Sequence, residues 1–180
     1  MPDIAAFVRA AEPVHGIRLV GVDGPSGAGK TTLATALAAE LAAPIIEIDD
    51  FVSWNPPTDW WPRFDTQVLT PLLAGDDAVY QARDWTDWYG SSLGAWKTVR
   101  WQPIIVLEGV TCTRRAAADR LVCRVWVDAP AEVRLARGLA RDTDGHAGAR
   151  ELWERWMADE SRFFALDDTR SRADFIIDAA

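Results

Sequence analysis

Residues Gly24-Pro25-Ser26-Gly27-Ala28-Gly29-Lys30-Thr31, with Thr32 next, fit the pattern GxxxxGK[ST]. Residue types at this spacing bind phosphate. The glycines let the chain bend until successive backbone N–H groups converge on one hollow. A helix beginning there adds partial positive charge. Lys30, expected to be an exposed ligand, reaches the terminal phosphates, and the Thr31 hydroxyl suits Mg²⁺. The nucleotide-contacting set is therefore Gly24, Ser26, Gly27, Ala28, Gly29, Lys30, Thr31 and Thr32. A glycine-rich turn alone would be weak evidence. Here a β-branched run, Ile17 to Val22, enters the loop and a helical run, Thr32 to Leu41, leaves it.

Further acids sit where a phosphate chemistry would use them. Asp49 and Asp50 follow a run Pro44 to Ile48, Glu108 follows Ile104 to Leu107, and Asp128 follows Val122 to Val127. Ligands of open α/β sheets gather at the carboxyl ends of strands. One carboxylate there can hold the shell of a metal ion, and a second can accept the proton of an attacking hydroxyl. Glu108 is assigned the first role. Asp49 is assigned the second. The alternative for each acid is a cap on the following loop or helix. Arg134, Arg137 and Arg141 fall at i, i+3 and i+7 on one helix face. Guanidinium groups there can neutralise charge on a transferring phosphoryl group. Arg137 and Arg141 are assigned to that task, Arg137 also to the nucleotide, and Arg134 to the substrate. The stretch 142–148 holds two glycines and would suit a short lid, the whole lid region being 134–150. The alternative is a solvated face paired with Glu132 and Asp142. His15 and His146 have no partner pattern, so no Ser-His-Asp triad is readable.

These groups need a scaffold. The apolar strands lack clean alternation, which implies burial on both faces, as in a parallel sheet covered by helices. Helices are expected at 2–12, 66–73, 130–141 and 148–166, and a last strand at Phe175 to Ile177. The 180 residues suit one domain, 1–180, with normal apolar (49%) and charged (26%) fractions. The net charge of −8 argues against a nucleic-acid surface. No apolar run is long enough for a membrane span and no signal peptide is evident, and Cys112 and Cys123 lack metal or redox spacing. A cytoplasmic protein with reduced thiols is expected. Ten tryptophans are unusual, and seven of them lie between Trp54 and Trp101. The segment 52–102, rich in Pro, Trp and Asp, is expected to be mostly irregular and to bind an acceptor.

Four motifs together resemble the uridine kinase-like family of P-loop kinases, over most of the chain. They are Gly24 to Thr32; Ile48-Asp49-Asp50-Phe51; Arg83-Asp84-Trp85; and Val106-Leu107-Glu108-Gly109-Val110 followed by the arginine-rich helix. The resemblance implies a three-layer α/β/α fold with a five-stranded parallel sheet in the order 2-3-1-4-5. It implies ATP and Mg²⁺ as cofactors and a small-molecule acceptor, most simply a nucleoside or nucleoside-like compound. It makes Asp49 base and metal-shell ligand, turns Glu108 toward Mg²⁺, and gives Asp59 to the acceptor's hydroxyls. Phe51, Asp84, Trp85 and Arg83 fall in its acceptor pocket. Arg83 replaces the family's tyrosine, and Trp88 or a neighbour stands where a base-contacting histidine is common. The competing readings are a kinase for a non-nucleoside metabolite or antibiotic, and a non-catalytic ATP-binding accessory protein. A GTPase switch is disfavoured because no Asn-Lys-x-Asp motif is present. Oligomeric state is left open.

Overall fold

In the computed structural model of the protein, residues 3–54, 60–86, 92–142 and 148–179 are described, Asp142 by its backbone alone. Strand β1 (Arg18–Asp23) has an apolar centre, Leu19 to Val22, and is buried on both faces from Leu19 onward, so it needs cover on both, and it lies at the centre of the main sheet. It pairs in parallel with β5 (Ile104–Glu108) on one side and β6 (Cys123–Asp128) on the other. Strand β2 (Ile45–Glu47) closes one edge beside β5, and β7 (Phe175–Asp178) closes the other beside β6. The order β2-β5-β1-β6-β7 is the expected 2-3-1-4-5 once a separate hairpin is set aside.

Successive strand residues feed two cores. Leu19, Ile105 and Leu107 join a cluster with Ile48, Phe51, Phe64 and Trp156. Val20, Val22, Val106 and Val125 join the opposite cluster, packed on helices α1 (Ile4–Ala10) and α2 (Lys30–Leu41). Helices α5 (Ala131–Asp142) and α6 (Ala149–Asp167) follow β6 and pack on each other. Their approach is close at Gly138, where a Cβ would lie 2.6 Å from the Trp153 ring, so only glycine fits.

The segment 52–102 is more regular than expected. A helical run begins with α3 (Trp61–Phe64), continues through a π-helical stretch (Asp65–Leu69) and ends with α4 (Thr70–Ala74). It starts ahead of the expected 66–73 because Trp60 and Phe64 bury their rings in the core. Pro71 has no N–H for the carbonyl one turn earlier, which accounts for the wider turn just before it. After it, β3 (Ala78–Asp84) and β4 (Ser92–Val99) form an antiparallel hairpin with its own two-stranded ladder, paired from Ala78↔Val99 to Asp84↔Ser92. This corrects the expectation of an irregular region. Only β3 alternates, with Ala78, Tyr80 and Ala82 inward, while β4 is largely exposed and shows no apolar period.

Candidate functional site

The hollow forms where β1 ends and α2 begins. Gly29 caps α2 at φ 102°, so the N–H groups of its first turn, from Lys30, Thr31 and Thr32, open toward the loop. Gly27, at φ 77°, is pressed against α5: a Cβ there would lie 2.5 Å from the Arg134 carbonyl oxygen. Lys30 is buried, 7% exposed, with Nζ donating to the Pro25 carbonyl at 3.1 Å. That corrects the expectation of an exposed lysine. The physical reason is its company: Asp23, Glu108 and Glu160 are buried carboxylates that all feel its charge.

Each carboxylate has a distinct task. Asp23 is fully buried and accepts from Gly24 N–H (2.7 Å), Thr111 N–H (2.8 Å), Thr113 N–H (2.8 Å) and the Thr113 hydroxyl (2.8 Å). It ties the start of the loop to the turn after β5. Glu108 ends β5 and accepts from the Thr31 hydroxyl, and burial, reinforced by Asp49 and Glu47, pushes its carboxyl up to about 7. Glu160, on α6, accepts from Ser26 N–H (3.0 Å), Trp156 Nε1 (3.1 Å) and Arg134 (2.8 Å). Sequence reading missed Asp23, Glu47, Trp156 and Glu160. Asp23, just ahead of the motif, carried a signal in its position. Glu47 ends β2 and was passed over for the acids that follow it. Trp156 and Glu160 carried none, because α6 meets the loop only through the tertiary fold.

The oxygen donors around Thr31 fit Mg²⁺. A hydroxyl and a carboxylate face each other, with Asp49 and Glu47 close enough to raise the proton affinity of Glu108. A hard dication suits such a set. Among the described residues no three His, Cys, Asp or Glu side chains form a protein-only metal cage. Mg²⁺ commonly uses one or two protein oxygens, phosphate oxygens and water, so this set is enough.

Opposite the loop, β2 ends in a 3₁₀ turn (Ile48–Asp50). The two neighbouring aspartates part company there. Asp50 is buried, salt-bridged to Lys97 at 2.7 Å and bonded to the Tyr80 hydroxyl at 3.0 Å. Asp49 is exposed and lines a cavity of about 500 Å³. Three long side chains hold the backbone of this turn. Arg63 donates to the Asp50 carbonyl (3.0 Å), Arg83 to the Phe51 carbonyl (3.2 Å) and Trp85 Nε1 to the Asp49 carbonyl (3.0 Å).

The cavity brings Ser26, Glu47, Asp49, Trp54, Trp85, Arg141, Trp153 and Trp156 together, with Val52. Of the expected acceptor residues, Asp49 and Trp85 line it. Phe51 does not: its ring is fully buried against Phe64 and Tyr80, which corrects its assignment to the substrate. Arg83 is half-buried and holds backbone, and Asp84 accepts from Thr86 N–H at 2.9 Å at the end of β3. Asp59, Trp88 and His146 lie outside the described residues, as does most of the expected lid loop. The three arginines of α5 differ. Arg134 is buried against Glu160 and does not line the cavity, which corrects its assignment to the substrate. Arg137 donates to the Gly27 carbonyl (3.4 Å) and the Ala179 carbonyl (3.0 Å). Arg141 lines the cavity, 5.8 Å from the centroid of the Trp153 ring. The tryptophans divide likewise. Trp60 and Trp61 cap the core and flank Arg114, whereas Trp54 and Trp85 reach the cavity. Asp128, a strand-end acid, is engaged by Arg170 at 3.3 Å. No helix among the described residues is long and apolar enough to cross a membrane.

A family model described as RNA helicase matches residues 20–79, a third of the chain that includes the phosphate loop. No curated protein matches the sequence. Two solved structures are similar over nearly their whole length. One is a possible uridine kinase from Bacillus stearothermophilus, 19% identical, covering 97% of this chain and 95% of that one with a TM-score of 0.70. The other is a putative fructose transport system kinase from Silicibacter sp. TM1040, 20% identical, covering 96% of each chain with a TM-score of 0.67. By its phosphate loop, its sheet order and these two likenesses, the chain has the fold of the uridine kinase-like P-loop proteins.

Proposed function

We propose that the protein is an ATP-dependent phosphotransferase that moves the γ-phosphate of ATP to a hydroxyl of a small molecule. The observation that carries this reading is one cavity walled by Ser26 of the phosphate loop on one side and Asp49 on the other. A phosphoryl donor and an acceptor hydroxyl can meet there. Asp49 takes the hydroxyl proton as the oxygen attacks, and the charge on the transferring group is met by Lys30 and Arg141. Arg137 braces the loop from behind. Thr31 and Glu108, with Asp49 nearby, would hold Mg²⁺, which neutralises phosphate charge when bound. The tryptophan walls exclude water and offer flat surface to the acceptor.

For the acceptor, a nucleoside or nucleoside-like compound is supported by the resemblance in motifs and by the four indole rings of the cavity. Asp84 and Asp59 are assigned to its hydroxyls. A sugar or another hydroxylated metabolite is the second reading. It draws on the likeness to a putative fructose transport system kinase and on Arg83 standing where the resembled family has tyrosine. The test is incubation with MgATP and a panel of nucleosides, sugars and aminocyclitols, with products read by mass. A phosphorylated product that disappears in Asp49→Asn supports the reading. ATP consumption that no acceptor stimulates, or that survives in Lys30→Ala, overturns it.

A further inference from the structure

Ser26 is the one loop residue on the cavity wall, and all three of its polar groups are held by the helices that follow β6. Its N–H donates to the Glu160 carboxylate at 3.0 Å, and Trp156 Nε1 donates to its hydroxyl at 2.7 Å. Arg134 donates to its carbonyl at 3.4 Å and to Glu160 at 2.8 Å. Trp156 also donates to Glu160 at 3.1 Å, so that carboxylate gathers three donors while only 3% exposed. A P-loop turns backbone N–H groups toward phosphate. At Ser26 that group is turned instead to a carboxylate of the protein.

We propose that Glu160 is a positioning residue for the terminal phosphate: it draws Ser26 N–H and the turn at Gly27 onto α5 and α6, which sets the cavity-facing end of the loop for a triphosphate. Glu160 touches no substrate. Its oxygens are taken by Ser26, Trp156 and Arg134, and it acts through Ser26. The phosphoryl group that Asp49 helps to transfer must lie between Asp49 and the loop, hence beside Ser26. The β-phosphate lies deeper, against the N–H groups at the start of α2 and Lys30. A loop released at Ser26 therefore loses grip on the third phosphate and keeps its grip on the second. This inference rests on the phosphotransferase reading.

The test compares two ligands by calorimetry, each with Mg²⁺: ADP and the β,γ-imido analogue of ATP. Glu160→Gln should weaken binding of the triphosphate analogue by about tenfold or more, the scale of a lost charge-assisted hydrogen bond, and leave MgADP within about twofold. Breaking a buried pair can unfold a protein. The double variant Glu160→Gln/Arg134→Met removes both charges together and should show the same loss of triphosphate preference. Ser26→Ala keeps the N–H and should lose only about threefold. Equal losses for both ligands, or an unchanged ratio in folded variants, overturn the proposal, since a merely structural carboxylate would not distinguish them. Wild-type protein that binds neither ligand, or binding indifferent to Lys30→Ala, overturns the phosphotransferase reading and with it the positioning role.

Discussion

On the loop side of the cavity the protein works with backbone. Gly24 N–H, Ser26 N–H and the first turn of α2 are fixed by short local geometry and by buried carboxylates that receive their hydrogens. On the opposite side it works with large side chains. Arg63, Arg83 and Trp85 reach from the helical run and the hairpin to carbonyls of 49–51, and Trp54 sets its edge on Trp156 with ring centroids 4.9 Å apart. A backbone hollow can take only one kind of group, a string of phosphates. A wall of indoles held by arginine and lysine struts can change its shape by one substitution. In the proposed transfer reaction, this contrast gives the phosphate-holding half to the loop and the acceptor-selecting half to the hairpin side.

The sharpest way to break that division is Lys30→Ala. With the amine gone, turnover should fall below detection, a loss beyond the 10²- to 10³-fold typical of one electrostatic donor. Because Lys30 balances three buried carboxylates, the melting temperature should fall too. Turnover near wild type would remove the loop from the chemistry.

Asp49→Asn comes next, with an expected loss in kcat of about 10²- to 10⁴-fold and nucleotide affinity little changed. Its neighbour supplies the control. Asp50→Asn weakens the bonds to Lys97 and Tyr80 and should cost about 1–3 kcal/mol of stability, read by denaturant titration, with kcat less affected. Reversed effects would place the base at Asp50.

A smaller effect is expected from pH. Protonated Glu108 is a poor metal ligand, and its carboxyl titrates near 7. Mg²⁺-dependent nucleotide binding should rise about tenfold per pH unit below 7 and level off above it. The stability of the nucleotide-free protein should move the other way through this group. A carboxyl raised from 4.5 takes up a proton on folding, so its contribution is lost as pH rises from 4.5 toward 7. Calorimetric Mg²⁺ titrations and melting curves at a series of pH values measure both.

Smallest is the contrast between two tryptophans. Trp85→Phe removes flat cavity wall and the bond to the Asp49 carbonyl, and should raise the acceptor KM several-fold, about 1 kcal/mol, with MgATP binding unchanged. Trp60→Phe, in the core beside Arg114, should lower stability and leave KM alone. If both act on KM, the cap and the wall are one unit.

The same division explains what the sequence disclosed. The five parallel strands, the loop and the strand-end acids were legible because each is written in consecutive residues: an apolar run, a glycine pattern, an acid after a strand. Glu160 and Trp156 were not, because they lie some 130 residues from Ser26 in the chain. Asp49 and Asp50 are adjacent and alike in sequence, and only Lys97 and Tyr80, from the hairpin, tell them apart. Gly138 carries no signal of its own in an arginine-rich helix, and only the Trp153 ring against it requires a glycine there. Phe51 carried a motif's signature and proved to be core. The β4 strand gave no apolar period because both of its faces are largely exposed.

Among the described residues the β3–β4 ladder pairs only with itself and shares no rung with the five-stranded sheet. Its length can therefore change without moving any strand that carries the phosphate loop, Glu108 or the turn at Asp49. A hairpin of another length would keep its seat through a lysine for Asp50, a tyrosine hydroxyl beside it, an arginine for the Phe51 carbonyl, an indole for the Asp49 carbonyl and the inward face of β3.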